Sequence, residues 1–151
     1  MKLSYFPLMM NIRGRRLVFI GGGRVAERKI NSLTRMEPKI TVIAESVTDG
    51  IKKNGEIDVI IKSASADDIQ GADLLFVCTD NNELNRRLAI EAKMKNIPVN
   101  AADDPELSDF HMPAVYIEKD TGTVVSVSTQ GREPSFSAKL RDRIASFLSG
   151  E

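Results

Sequence analysis

The sequence predicts an α/β fold: a parallel sheet alternating with helices, followed by a β-hairpin and a C-terminal helix. Three observations carry this. Short apolar runs rich in strand formers recur at 17–20, 40–44, 58–61, 73–79 and 97–100, separated by longer or helix-patterned segments. The first run passes through three glycines directly into a helical pattern in RRLVFIGGGRVAERK, residues 15–29. Beyond Asn100 the pattern changes to two alternating strands joined by a turn signal, then one amphipathic helix.

In chain order, Tyr5-Phe6-Pro7-Leu8-Met9-Met10 is an apolar lead-in expected to pack on the sheet edge. Leu17, Val18, Phe19 and Ile20 read as a strand buried on both faces. Gly21, Gly22 and Gly23 follow, and Arg24-Val25-Ala26 opens a helix to about Met36, stopping before Pro38, with Val25, Ala26, Ile30 and Leu33 on its inner side. Strand, glycine turn and helix together are what a dinucleotide site requires. Gly21 permits the tight turn, Gly23 a close approach of the backbone to a pyrophosphate, and Ala26 close packing of helix on strand. The helix start offers unpaired N–H groups and partial positive charge. A glycine turn of purely steric origin is the competing reading.

The second strand is Ile40–Ala44, and Glu45 stands at its carboxyl end. An acidic side chain there accepts hydrogen bonds from an adenine-ribose hydroxyl and repels the extra phosphate of NADP. A helix-start carboxylate paired with Ser46 fits equally well. Asp58–Ile61 is the third strand and Asp73–Thr79 the fourth. Asp80, Asn81 and Asn82 offer caps for a helix over Glu83–Asn96, with Leu84, Leu88 and Ala92 inward. Ile97–Asn100 is the fifth strand. Right-handed crossovers in such a Rossmann-type sheet put the ligand crevice at the carboxyl ends of strands one and four.

Asn100-Ala101-Ala102-Asp103-Asp104-Pro105 leaves that same rim. Its two carboxylates read either as a solvated turn with an Asx cap or as a base beside a nicotinamide. His111 is the single histidine and Cys78 the single cysteine, so neither a metal cluster nor a disulfide framework is expected. Ala114–Glu118 and Thr123–Thr129 form the hairpin around Lys119-Asp120-Thr121-Gly122. Two strands do not stand alone in water, so they extend the main sheet or pair with another chain. Pro134–Ser149 is a helix with Phe136, Leu140, Ile144, Phe147 and Leu148 on one face. The expected division is a domain over 1–113 and a hairpin-and-helix segment over 114–151.

Composition excludes several classes. The 21 basic and 21 acidic residues cancel, so no global field points to nucleic acid. No apolar run reaches membrane-spanning length, and the first residues lack a signal-peptide plan. A cytoplasmic protein with a single main core is expected.

These pieces together resemble the precorrin-2 dehydrogenase family, the N-terminal module of bifunctional and trifunctional siroheme synthases. The matching stretches are YFPLMMNIRGRR, VFIGGGRVAERK, TVIAES, VCTDNNELN, PVNAADDPELSDFHMPAVY and VSVSTQGREPSFSAKLRDRI. The triple glycine before VA-x-RK, the N-x-x-D-x-P loop and the FxxPA step are together far more specific than any one motif. The resemblance implies NAD-dependent oxidation of precorrin-2 to sirohydrochlorin in siroheme biosynthesis, by a homodimer whose hairpin strands pair between chains. It implies Asp103 as the catalytic residue. Gly21, Gly22, Gly23, Arg24, Val25, Glu45, Ser46, Thr79 and Asp80 follow as cofactor contacts, and Asn100, His111, Ser128 and Arg132 as substrate contacts. Arg132, Lys139, Arg141 and Arg143 acquire an electrostatic role toward a polycarboxylate substrate.

The chain departs from the family at Gln130-Gly131, where a glycine pair is common, and at Glu133, where a small residue is common. Bifunctional members also continue with a helical domain beyond the helix that ends here, so efficient iron insertion is not expected. An NAD-sensing regulatory module of a transport system shares the strand–glycine–helix plan and also dimerises, but needs neither the Asp103 loop nor the Phe110-to-Pro113 step.

Overall fold

A computed structural model of the chain describes residues 4–102 and 104–150. It divides into two compact units: Leu8–Phe110, and His111 onward joined by the chain start up to Pro7. The boundary thus falls three residues before the expected 113/114 division, and the first residues group with the second unit rather than with the sheet.

The larger unit holds five parallel strands: β1 (Arg16–Gly22), β2 (Lys39–Val47), β3 (Ile57–Ile61), β4 (Leu74–Val77) and β5 (Val99–Ala101). Their order is β3-β2-β1-β4-β5. The winding therefore reverses between β1 and β4, which pair in parallel with Leu17 opposite Leu74 and Ile20 opposite Val77. Helix α1 (Arg24–Leu33) follows β1 and continues as a single 3-10 turn, Thr34–Met36, before Pro38. Helix α3 (Asn82–Met94) links β4 to β5. Two short elements escape sequence reading: α2 (Asp49–Lys53) and a 3-10 turn over Ala66–Ile69. Neither is long enough to show helical periodicity.

Side chains alternate across β1. Val18 and Ile20 join Leu75, Val77, Leu88, Ala89 and Ala92 in one cluster. On the other face Phe19 stacks on Phe76 at 4.3 Å between ring centroids, and Phe110 meets Phe76 edge-on at 5.5 Å. The inner stripe of α1 is narrower than expected: Ala26 and Ile30 are fully buried, whereas Val25, in the first turn, is exposed. In α3 the stripe includes Asn85, and Leu84 is only half-buried.

The smaller unit contains β6 (Ala114–Ile117) and β7 (Val124–Val127), paired antiparallel, and α4 (Pro134–Ser149) packed on both. Thr129 Oγ1 accepts Glu133 N–H at 2.9 Å and lies 3.2 Å from the buried Ser137 hydroxyl, which fixes the helix start to the end of the hairpin. Of the five expected inner residues of α4, only Leu140 and Ile144 are half-buried; Phe136, Phe147 and Leu148 are exposed. Two four-residue strands are too narrow to cover that whole apolar face. The expected packing of the lead-in on the sheet edge also fails. Phe6, Leu8 and Met9 are 85%, 75% and 74% exposed in a segment without strand structure, while Tyr5 packs edge-on against His111 at 4.2 Å.

Candidate functional site

The carboxyl ends of β1, β2, β3 and β4 enclose a cavity of about 810 Å³. The glycine turn forms its floor. Gly21 has φ +104°, and a Cβ there would stand 2.7 Å from the carbonyl oxygen of Cys78. Only glycine lets β1 turn this close to the end of β4. At Gly22 a Cβ would meet Val47 Cγ1 at 2.5 Å and Ser46 O at 2.7 Å, where the β1–β2 register shifts. Gly23 differs. It is the N-cap of α1 with ordinary backbone angles, and a Cβ there would meet no atom within 4 Å. Folding therefore needs glycine at 21 and 22, but the absent side chain at 23 only leaves space open beside the cavity. No side chain caps the helix start, so its first N–H groups remain available to an anion. An open cradle over an uncapped helix N-terminus fits a dinucleotide pyrophosphate.

Glu45 and Ser46 line the cavity, but they belong to β2, not to a helix start. The next helix, α2, is capped by Thr48, whose Oγ1 accepts Ile51 N–H at 3.3 Å. This removes the helix-start reading of Glu45. Its carboxylate instead accepts a hydrogen bond from the Ser63 hydroxyl across the end of β3. Thr79 and Asp80 line the opposite wall. The Thr79 hydroxyl donates to Asn85 Oδ1 at 2.6 Å, and Asn81 Oδ1 caps α3 by accepting Leu84 N–H at 2.9 Å. Arg24 and Val25, the first two residues of α1, are exposed and lie outside the lining. The cavity also takes in Lys62, Ser63 and Arg87, which sequence reading passed over. Their signal was position alone: Lys62 and Ser63 directly follow the third apolar run.

The expected catalytic residue, Asp103, lies outside the described residues. Its neighbours are fixed. Ala102 N–H donates to Val77 O at 3.0 Å, and Asp104 Oδ1 accepts Glu106 N–H at 3.0 Å. The returning chain clamps to β5: Ser108 Oγ accepts Ala101 N–H at 2.9 Å, and Asp109 exchanges bonds with Val99 through its N–H at 2.8 Å and Oδ2 at 3.0 Å. Asn100, expected as a substrate contact, is buried. Its Oδ1 accepts Lys29 Nζ at 2.6 Å and its Nδ2 donates to Phe110 O at 2.8 Å.

His111, Ser128 and Arg132 belong to the smaller unit. Gln130 and Gly131 between the latter two both have positive φ, +58° and +79°, so the chain keeps a left-handed pair although only one member is glycine. Ser128 Oγ accepts Gln130 N–H at 3.0 Å within this turn. A Cβ on Gly131 would approach His111 Cε1 to 3.3 Å. Among the described residues no group of three or more His, Cys, Asp and Glu could hold a metal ion, and no helix is long and apolar enough to cross a membrane.

Comparison with known proteins agrees with this geometry. Residues 8–114 match the family described as putative NAD(P)-binding. The siroheme synthase of Ruthia magnifica subsp. Calyptogena magnifica is 32% identical over 149 residues, covering 97% of this chain and 31% of that protein. The siroheme synthase of Gluconacetobacter diazotrophicus is 34% identical over 153 residues, covering 96% and 32%. The chain thus spans about a third of the length of these relatives. Among solved structures, SirC, a precorrin-2 dehydrogenase, superposes with a TM-score of 0.78 at 21% identity, over 95% of this chain and 70% of its own. That likeness speaks for the fold.

Proposed function

This chain belongs to the putative NAD(P)-binding family, and we propose that it is an NAD-dependent precorrin-2 dehydrogenase forming sirohydrochlorin. The observation that carries the reading is the extent of the likeness to siroheme synthases, 97% of this chain, which runs through the glycine turn, the Asp103 loop and the smaller unit alike.

Bound NAD would accept a hydride from the macrocycle, whose oxidation also releases one proton. The chain's own residues do the rest. The Gly21–Gly23 turn and the start of α1 hold the pyrophosphate. Glu45 accepts an adenine-ribose hydroxyl and disfavours NADP by charge, and Ser46 lies beside it. Thr79 and Asp80 bound the cavity at the end of β4. Asp103 takes the proton, as a base in the loop leaving β5. Arg132, Lys139, Arg141 and Arg143 supply positive charge for a polycarboxylate, with Arg141 also paired to Asp142 at 2.6 Å. The protein works in the cytoplasm as a homodimer, a reading supported by the two-stranded sheet and by the uncovered apolar face of α4.

The test is to supply enzymatically made precorrin-2 with NAD and follow NADH and sirohydrochlorin together by absorbance. Equal molar appearance of both is expected. NADH binding without any turnover of precorrin-2 would overturn the dehydrogenase assignment.

A further inference from the structure

The corner of the cavity where β2 and β3 end holds two opposite charges. Lys62 N–H donates to Ala44 O at 3.0 Å, so Lys62 runs beside the end of β2, and the next residue, Ser63, donates its hydroxyl to Glu45. Glu45 and Lys62 both line the cavity. An ammonium at this corner is the group that would welcome a ribose phosphate, against the effect of Glu45. It is not left available. Lys62 Nζ is 2.6 Å from Asp68 Oδ1.

Asp68 is held for this contact. Its other oxygen, Oδ2, accepts Ser65 N–H at 2.7 Å and the Ser65 hydroxyl at 3.0 Å, closing a capping box at the start of the 3-10 turn. One carboxylate oxygen serves the backbone and the other serves Lys62. The Asp68 side chain is only 12% exposed, although that of Lys62 is 44% exposed, so water screens the pair mainly from the lysine side. Burial would raise the Asp68 carboxyl, but the hydrogen bonds from Lys62 and Ser65 outweigh it and hold the group below its ordinary value. The Asp68 carboxylate is therefore ionised at neutral pH.

We propose that Asp68 is a specificity-determining residue: by engaging Lys62 it withholds that cation from a ribose 2′-phosphate and leaves Glu45 to decide for NAD. The inference rests on the dinucleotide reading of the cavity and adds to it a residue that acts through Lys62 without having to touch the cofactor.

The test is fluorescence titration of NADH and NADPH against the unmodified chain, Asp68→Asn, Lys62→Met and the double variant. Asn keeps an acceptor for Ser65 but loses the charge. Asp68→Asn should raise NADPH affinity about tenfold while leaving NADH nearly unchanged, with a steeper salt dependence for NADPH alone. The double variant should lose that gain. Lys62→Met should leave the NADH-to-NADPH ratio unaltered, because the ammonium is already engaged. This arm decides even if Asp68→Asn fails to fold: a marked fall in NADPH binding would show that Lys62 is not withheld. An unchanged ratio in folded Asp68→Asn, or a gain that survives in the double variant, would overturn the proposal. If the unmodified chain binds neither nucleotide, the dinucleotide reading itself fails and takes this inference with it.

Discussion

Lys29 Nζ, midway along α1, donates to Asn100 Oδ1 in the middle of β5 across 2.6 Å, and the same amide donates onward to Phe110 O at 2.8 Å. One buried side chain thus ties the helix after the glycine turn to both ends of the segment containing Asp103. A residue whose oxygen and nitrogen are both engaged in the fold is poorly placed to bind substrate as well. Asn100→Ala should lower stability by about 1–3 kcal/mol, the usual cost of leaving buried partners unsatisfied. A urea midpoint shifted down, with NADH affinity unchanged, is the expected result. Unchanged stability with a raised KM for the macrocycle would restore the substrate-contact reading.

The three glycines separate by substitution. Gly23→Val adds a side chain where no atom lies within 4 Å, so the fold should survive while the pyrophosphate space is filled and NADH binding is lost. Gly21→Ala instead forces a Cβ to 2.7 Å from Cys78 O at φ +104°, and should fail as a folding defect. Circular dichroism melts beside NADH titrations distinguish the two. Normal NADH binding by Gly23→Val would remove the turn from the cofactor site.

Glu118 sets the acid limit of the hairpin. Its carboxylate accepts the Thr121 hydroxyl at 2.7 Å and the N–H groups of Asp120 and Thr121 at 3.1 and 2.6 Å. These bonds, the Thr121 hydroxyl first, lower its pKa from 4.5 to about 2. A folded-state pKa below the unfolded one adds stability above 4.5 that is lost as pH falls toward about 2. Glu118→Gln should flatten the pH dependence of hairpin amide protection across that window. An identical pH profile in the variant would show that the turn does not depend on the ionised carboxylate.

The sheet was legible because its strands are continuous apolar runs and its first turn is glycine-rich. Each of the five expected parallel strands is present, and the winding reverses between β1 and β4 as expected. What stayed hidden depends on contacts distant in sequence. Nothing in Ser63 or Asp68 themselves announces that they engage Glu45 and Lys62, because neither pairing has a local pattern. Asn85 is a polar residue of α3, yet it is buried, and its amide meets Thr79. The apolar spacing of α4 correctly marked a helix, but spacing cannot tell whether its own hairpin covers the whole face. Glu45 shows the reverse case. Its two sequence readings were equal until the longer β2 and the Thr48 cap excluded one.

Asp103 and Asp104 are adjacent carboxylates for which opposite outcomes are expected. Asp104 Oδ1 accepts Glu106 N–H at 3.0 Å and Leu107 N–H at 3.3 Å, so its charge closes the turn before Ser108. Its loss should cost about 1 kcal/mol of loop stability, as for other capping side chains, and affect turnover only modestly. For Asp103 the proposed role is that of proton acceptor. A hydride leaves the macrocycle readily only if the accompanying proton has somewhere to go. Asp103→Ala should therefore cut kcat roughly a hundredfold or more, with little change in NADH affinity. Asp103→Asn, which keeps the shape and loses the base, should be as slow. Steady-state rates for the three variants, measured beside NADH titrations, decide between them. Full turnover in Asp103→Asn would show that the proton leaves by another route, and a larger loss in Asp104→Ala would exchange the two roles.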